Sequence, residues 1–235
     1  MAAASFTYAG KKIDYTVEYS WRRSTSISIK PDGLVLVRAP KLVPLIMIEK
    51  IVRERASWIY NKVLFFEKHA TKKQEKEYVE GEVHHYLGRE LKLRIQVGGS
   101  DSVTIDQQTL QVVTPRISTR IVKTLVKAWY HEQGVKTLYE RYNLACLVFE
   151  KVGIYSKSLT YKPMRGKWGT CSHDDHVCLN PDLIKTPLEC VDYVVYHELC
   201  HVKHHNHGRG FHQLMSKMMP DWRKRKKLLD TYGIA

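Results

Sequence analysis

Six of the twelve histidines lie in one run of nineteen residues, VVYHELCHVKHHNHGRGFH, from Val194 to His212. Within it, His197-Glu198-x-x-His201 sets two imidazoles four residues apart. That is just over one helical turn, so on a helix both rings leave the same face. Two imidazoles so placed can hold one zinc ion at about 2.0–2.1 Å from each nitrogen. Glu198, beside the first, can reach a water on the metal without ligating it. Zinc lowers the pKa of such a water toward about 7. The expected chemistry is hydrolysis: the glutamate takes the proton as the water attacks a polarised carbonyl, then returns it to the leaving amine.

A catalytic zinc takes three protein ligands and keeps a fourth position open. His204 and His205 would continue the helix, but two turns beyond His197 is about 12 Å along the axis, too far for the same ion. His207 sits between Asn206 and Gly208, residues that tolerate the left-handed backbone needed to turn back. The ligand set is therefore read as His197, His201 and His207. No glutamate follows Glu198, which excludes a glutamate ligand from downstream. Asp221 and Asp230 are the aspartate alternatives. The metzincin pattern wants glycine seven residues after the first histidine, and His204 stands there. His212 is a candidate ligand, outer contact or transition-state donor, with plain surface placement as the rival reading.

The elements that must position these residues are legible in the patterning. KIDYTVEY and TSISI alternate apolar and polar residues, and LVLVRAP follows the turn signal Pro31-Asp32-Gly33, so the chain opens on strands. A helix is expected from near Pro44 to about Lys68, with Ile48, Val52, Ile59, Val63 and Phe66 at helical spacing. The charged stretch EKHATKKQEKE reads as a linker. EVHHYL, ELKLRIQV, SVTI and LQVV are four further strands, followed by a long helix from about Ser118 to Lys151. SLTYKPM and HVCLN flank RGKWGTCSHDD as strands. Thr186-Pro187-Leu188-Glu189 has the form of a capping box opening the histidine helix. Its apolar stripe is Leu188, Val191, Val195, Leu199 and Val202, leaving Tyr193, His197 and His201 to face a cleft. A last helical stretch runs from Phe211 to Leu229, interrupted near Pro220. No internal repeat or low-complexity segment is evident. The expected division is a strand-rich N-terminal region with one long helix (1–115) and a catalytic region (116–235), an α+β fold.

With 43% apolar and 26% charged residues, the chain has the composition of an ordinary globular protein. No apolar run approaches the ~20 residues that span a bilayer, and the N-terminus carries no export signal. Five cysteines without framework spacing read as reduced thiols, hence a cytoplasmic protein. The formal charge of +14, from 38 basic and 24 acidic residues, raises a field that attracts polyanions. A nucleic-acid partner met through this basic surface is therefore a candidate beside a peptide or protein substrate.

The segment from Met164 to Leu229 resembles the YgjP-like metallopeptidases, zinc-dependent hydrolases related to the SprT and WLM proteases. The shared marks are Trp168-Gly169-Thr170-Cys171, Leu179-Asn180, Asp192-Tyr193-Val194-Val195, His197-Glu198-Leu199-Cys200-His201, Asn206-His207 and Pro220-Asp221 with the basic segment after it. RRSTSISIKPDGLVLVRAP and YLGRELKLRI resemble the strand-rich front half of the family. The resemblance implies one zinc ion on His197, His201 and His207, Glu198 as general base, and a minimal zincin core of the gluzincin kind. Thr170 departs from the usual serine. The cysteine-paired zinc ribbon of some SprT relatives is missing, so their mode of DNA engagement does not carry over.

Three residues precede the zinc helix on or beside a strand. Arg165 and Lys167 are candidates for stabilising negative charge on the attacked carbonyl, with a solvated surface role as the rival. Trp168 is a candidate substrate contact, with core packing the favoured alternative. The strand itself could pair with an extended peptide. Tyr196 is expected to point off the ligand face. Arg223-Lys224-Arg225-Lys226-Lys227 is either an exposed helix face or a phosphate-binding run. Zinc and glutamate alone do not choose the acyl group, so a non-peptide amide or ester is a second reading. A basic nucleic-acid-binding protein with vestigial or DNA-stimulated protease chemistry is a third.

Overall fold

The computed structural model describes residues 2–30, 33–69 and 76–232. Pro31 and Asp32 of the expected turn and most of the expected linker lie outside them, as does the side chain of Phe66. The chain forms two compact units, Met1–Glu75 and Lys76–Ala235. Packing therefore divides it between Glu75 and Lys76, not near residue 115. The strands that follow the linker share a unit with the histidine helix.

The first unit opens with β1 (Ala2–Tyr8) and β2 (Lys11–Ser20), then β3 (Ser26–Ile29) and β4 (Val35–Pro40). The strand order is β1-β2-β4-β3, with β2 and β4 parallel and the two outer pairs antiparallel. Strand β1, with three alanines, has too little alternation to be read from sequence. The expected helix is two, α1 (Leu45–Glu54) and α2 (Ala56–His69). The Arg55 N–H is shared between the carbonyls of Ile51 and Val52, a local tightening toward 3-10 geometry that interrupts the helix without proline. Ile48, Val52, Ile59 and Val63 are buried over the sheet, as their spacing predicts.

The second unit begins with the same design. Strands β5 (Val83–Tyr86), β6 (Arg89–Val97), β7 (Ser102–Asp106) and β8 (Thr109–Thr114) take the order β5-β6-β8-β7, again with a parallel central pair. A helix follows, α3 (Thr119–Glu150), whose first turn is capped by the Ser118 hydroxyl accepting from the Ile121 N–H. The registers correspond pair for pair. Phe6 faces Ile13 as His84 faces Leu91, and Tyr15 faces Val35 as Leu93 faces Leu110. Both first hairpins turn through two left-handed residues, Ala9-Gly10 and Leu87-Gly88, with φ of 48° and 77° in each. That is the turn whose twist matches a tight hairpin. The fold thus contains a four-strand-plus-helix repeat, correcting the expectation of none.

From there the second unit builds the site. A three-stranded sheet has the order β10-β11-β9, from β9 (Ser158–Tyr161), β10 (Gly169–Cys171) and β11 (His176–Leu179). A short 3-10 helix, Pro181–Lys185, leads into α4 (Leu188–Lys203), then α5 (Arg209–Met218) and α6 (Trp222–Leu229). The second half of α3 presents Leu138, Tyr142 and Phe149 to a core shared with Val191, Val195 and Leu199 of α4. The capping box is not formed: α4 starts after Pro187 without a side-chain cap, and the Thr186 hydroxyl donates to the Leu183 carbonyl at 2.9 Å. Among the described residues no helix is long and apolar enough to cross a membrane.

Candidate metal centre

His197 and His201 leave α4 one turn apart, and the chain quits the helix at His204, whose backbone is extended (φ −132°, ψ 94°). The return to the helix face uses no left-handed residue, contrary to expectation: neither Asn206 nor Gly208 has positive φ. Instead the Asn206 side-chain oxygen accepts from the Gly208 N–H at 3.1 Å, a local turn that asparagine closes by itself. His207 is thereby carried back. Its Nε2 lies 3.0 Å from Nε2 of His197 and 3.1 Å from that of His201, and the third side of the triangle is 3.2 Å.

The electronic state of these rings follows from their partners. Nδ1 of His201 is 2.8 Å from the His204 carbonyl, which can only accept, so Nδ1 carries the proton and Nε2 is a bare lone pair. Tyr193, one turn before His197, brings its hydroxyl to 3.4 Å from Nδ1 of His197. Burial pushes the His197 pKa down to about 3, with the neighbouring His201 and His207 adding to the shift. Burial also lowers His201 and His207. All three rings are therefore neutral near pH 7. Phe211 of α5, fully buried, underlies the triangle with ring centroids 4.6–4.9 Å from all three imidazoles.

Three neutral imidazole nitrogens in mutual contact suit a shared cation. In a triangle of this size each nitrogen is about 1.8 Å from the centre, within reach of ion–nitrogen bonds of about 2.0–2.1 Å. His197, His201 and His207 form the one group of three or more His, Cys, Asp or Glu side chains, among the described residues, that could hold a metal ion. The donor set therefore fits a metal, and imidazole suits zinc, copper, iron or nickel.

The family comparison agrees with this geometry. A family model described as YgjP-like, metallopeptidase domain matches residues 23–232. The chain belongs to the YgjP-like metallopeptidase family. Membership brings a metal cofactor, hydrolytic chemistry, and peptides or proteins as substrates. A comparison with curated proteins found no significant match.

In this YgjP-like chain, Glu198 is 5% exposed. Burial raises its carboxyl pKa to about 8, while the Lys167 ammonium pulls it down. Arg165 and Lys167 are both exposed, and of the pair it is Lys167 whose charge acts on Glu198. Trp168 packs against the core beside α4, the alternative favoured for it. His212 is not brought into the nitrogen triangle: its exposed ring stacks on Trp222 at an interplanar angle of 12°. Tyr196 meets Phe149 edge-on, as expected for a packing residue. All five cysteines are free thiols. In the basic run, Arg225 pairs with Asp221 and Asp192, and Lys226 with Asp230.

Some contributors were given no role by the sequence reading. Asp192 receives a two-pronged hydrogen bond from Arg141 of α3, at 2.6 and 2.8 Å, which bolts the histidine helix to the long helix. Gly134 of α3 lies so near the 3-10 helix that a Cβ there would be 3.1 Å from the Pro181 carbonyl. Phe211 carried a weak signal, an apolar residue one turn after His207. Gly169 stood in the shared mark Trp168-Gly169-Thr170-Cys171, with no role assigned to it.

Proposed function

We propose that the chain is a zinc-dependent peptidase in which His197, His201 and His207 hold one ion and Glu198 is the general base. The observation that carries this reading is the triangle of three imidazole nitrogens on the helix that bears a buried carboxyl group. Bound zinc supplies Lewis acidity, polarising a carbonyl oxygen and making water acidic. Glu198 takes a proton from the attacking water at its carboxylate and gives it to the leaving nitrogen. A pKa raised toward the working pH suits a group that must both accept and return a proton. His201 is oriented for its role by the His204 carbonyl, and His197 by the Tyr193 hydroxyl. Such outer hydrogen bonds fix ring orientation and raise ligand basicity.

The test is metal analysis coupled to cleavage of a quenched-fluorescent peptide library by wild type and Glu198→Gln. The expected result is about one zinc per chain in both, with turnover in wild type alone. Full turnover by Glu198→Gln removes that residue from the mechanism, and loss of zinc on replacing none of the three histidines singly removes the site.

A further inference from the structure

Strand β10 is the outer strand of its sheet, and its first residue carries no side chain because Glu198 fills that space. A Cβ built on Gly169 would lie 2.8 Å from both Cγ and Oε1 of Glu198 and 3.0 Å from Cδ. These are its three nearest neighbours, all from one side chain, against about 3.5–4.0 Å for relaxed carbon contacts. The backbone does not ask for glycine here, since Gly169 is not among the residues with positive φ. What excludes a side chain is the carboxylate.

The strand is also held from behind. Asn180, 2% exposed, donates from Nδ2 to the carbonyls of Met164 at 3.0 Å and Lys167 at 3.2 Å. Its backbone N–H donates to the Trp168 carbonyl at 2.9 Å. The segment entering β10 thus cannot step away from α4 without losing three hydrogen bonds on a buried residue.

We propose that Gly169 is a positioning residue: its missing side chain lets β10 lie flat on the Glu198 carboxylate and fixes where Oε1 is held. This rests on the reading of Glu198 as the base. A methyl group at 169 pushes the carboxylate aside while leaving the three imidazoles in place.

Gly169→Ala is expected to bind zinc within threefold of wild type and to keep the wild-type cobalt(II) absorption spectrum. On the same peptide library its KM stays within threefold, while kcat falls about 100-fold, the usual cost of misplacing a reacting group by about 1 Å. Thr170→Ala, altering a side chain on the other face of the strand, leaves kcat unchanged. A second measurement covers the case in which Gly169→Ala folds poorly. Its thermal midpoint drops in the wild-type background, and the drop disappears over Glu198→Ala, where the methyl group has room. An equal drop in both backgrounds overturns the proposal. So does wild-type kcat in Gly169→Ala while Glu198→Gln is inactive, and that result leaves the function reading standing. Turnover by Glu198→Gln sinks the function reading instead, and with it the positional role of Gly169.

Discussion

The two four-strand modules share strand order, pairing register and first turn, yet the structure uses them differently. In the first, the helix breaks at Arg55 into α1 and α2. In the second it runs unbroken for 32 residues, and its latter half becomes the floor on which α4 packs. The hairpin tips differ in the same way. The Leu87 N–H donates to the Ile184 carbonyl at 2.7 Å, and a Cβ on Gly88 would lie 2.7 Å from Pro187, at the start of α4. A Cβ on Gly10 would meet nothing within 4 Å among the described residues. In the second copy this design is thus tied to the start of the helix that carries the histidines. Wiring within the second unit, not topology, makes its module a mount for the site.

The largest test of that claim is a pair of core truncations. Phe149→Ala, in the latter half of α3, is expected to cost about 3–5 kcal/mol and to weaken zinc binding, because α4 loses its support. Val52→Ala, in the core of the first module, is expected to cost about 1–3 kcal/mol and to leave zinc affinity unchanged. Urea unfolding with a zinc titration on each variant measures both. Equal weakening of zinc binding by the two would mean that the packing of α3 on α4 is not what sustains the site.

The glycine pair sharpens the contrast, because the two turns impose the same backbone strain. Gly10→Ala carries only the left-handed penalty, about 1 kcal/mol. Gly88→Ala adds overpacking against Pro187, for a total of about 2–4 kcal/mol. Denaturant midpoints that coincide for the two variants would show that the Gly88 contact relaxes freely. The ion pairs should rank likewise. Arg141 and Asp192 are 30% and 16% exposed, whereas Arg38 and Glu18 are 53% and 38% exposed. Arg141→Met is expected to cost about 1.5–3 kcal/mol and Arg38→Met less than about 1 kcal/mol, with 1 M salt erasing the second effect but not the first.

The sequence carried the short-range parts of this architecture. Helix geometry alone sets His197 and His201 on one face, and His207 follows because the chain must come back. The means of return was misread: a side-chain turn at Asn206 does what a left-handed residue was expected to do. Contacts between distant segments were not legible. Gly169 meeting Glu198 or Phe211 beneath the triangle depends on packing that no local pattern encodes. The repeat was hidden for a different reason. Gly10 to Gly88 is 78 residues, Ile27 to Val103 is 76, Val37 to Val112 is 75, and Ile48 to Val122 is 74. The spacing shrinks through every loop, so no fixed period exists to be found, and strand alternation is too degenerate to align the copies unaided.

The subtlest difference between the modules is chemical. Phe6 in β1 and His84 in β5 occupy the same register position, and both are buried. His84 keeps company with Glu82, whose carboxylate is 3.1 Å from its Nε2. Burial nevertheless dominates and lowers the His84 pKa from its ordinary 6.5, against the opposing pull of Glu82. The unfolded chain therefore binds a proton at this residue at a higher pH than the folded chain does. Stability from this source is complete above pH ~6.5, falls as the pH drops below that value, and levels off once the folded pKa is passed. His84→Phe, which gives the second module the residue of the first, should flatten this slope. The expected outcome is that urea midpoints of wild type and His84→Phe separate further at pH ~5 than at pH ~7.5. Parallel midpoints at the two pH values would mean that His84 titrates alike in the folded and unfolded chains, and that its burial costs the protonated ring nothing.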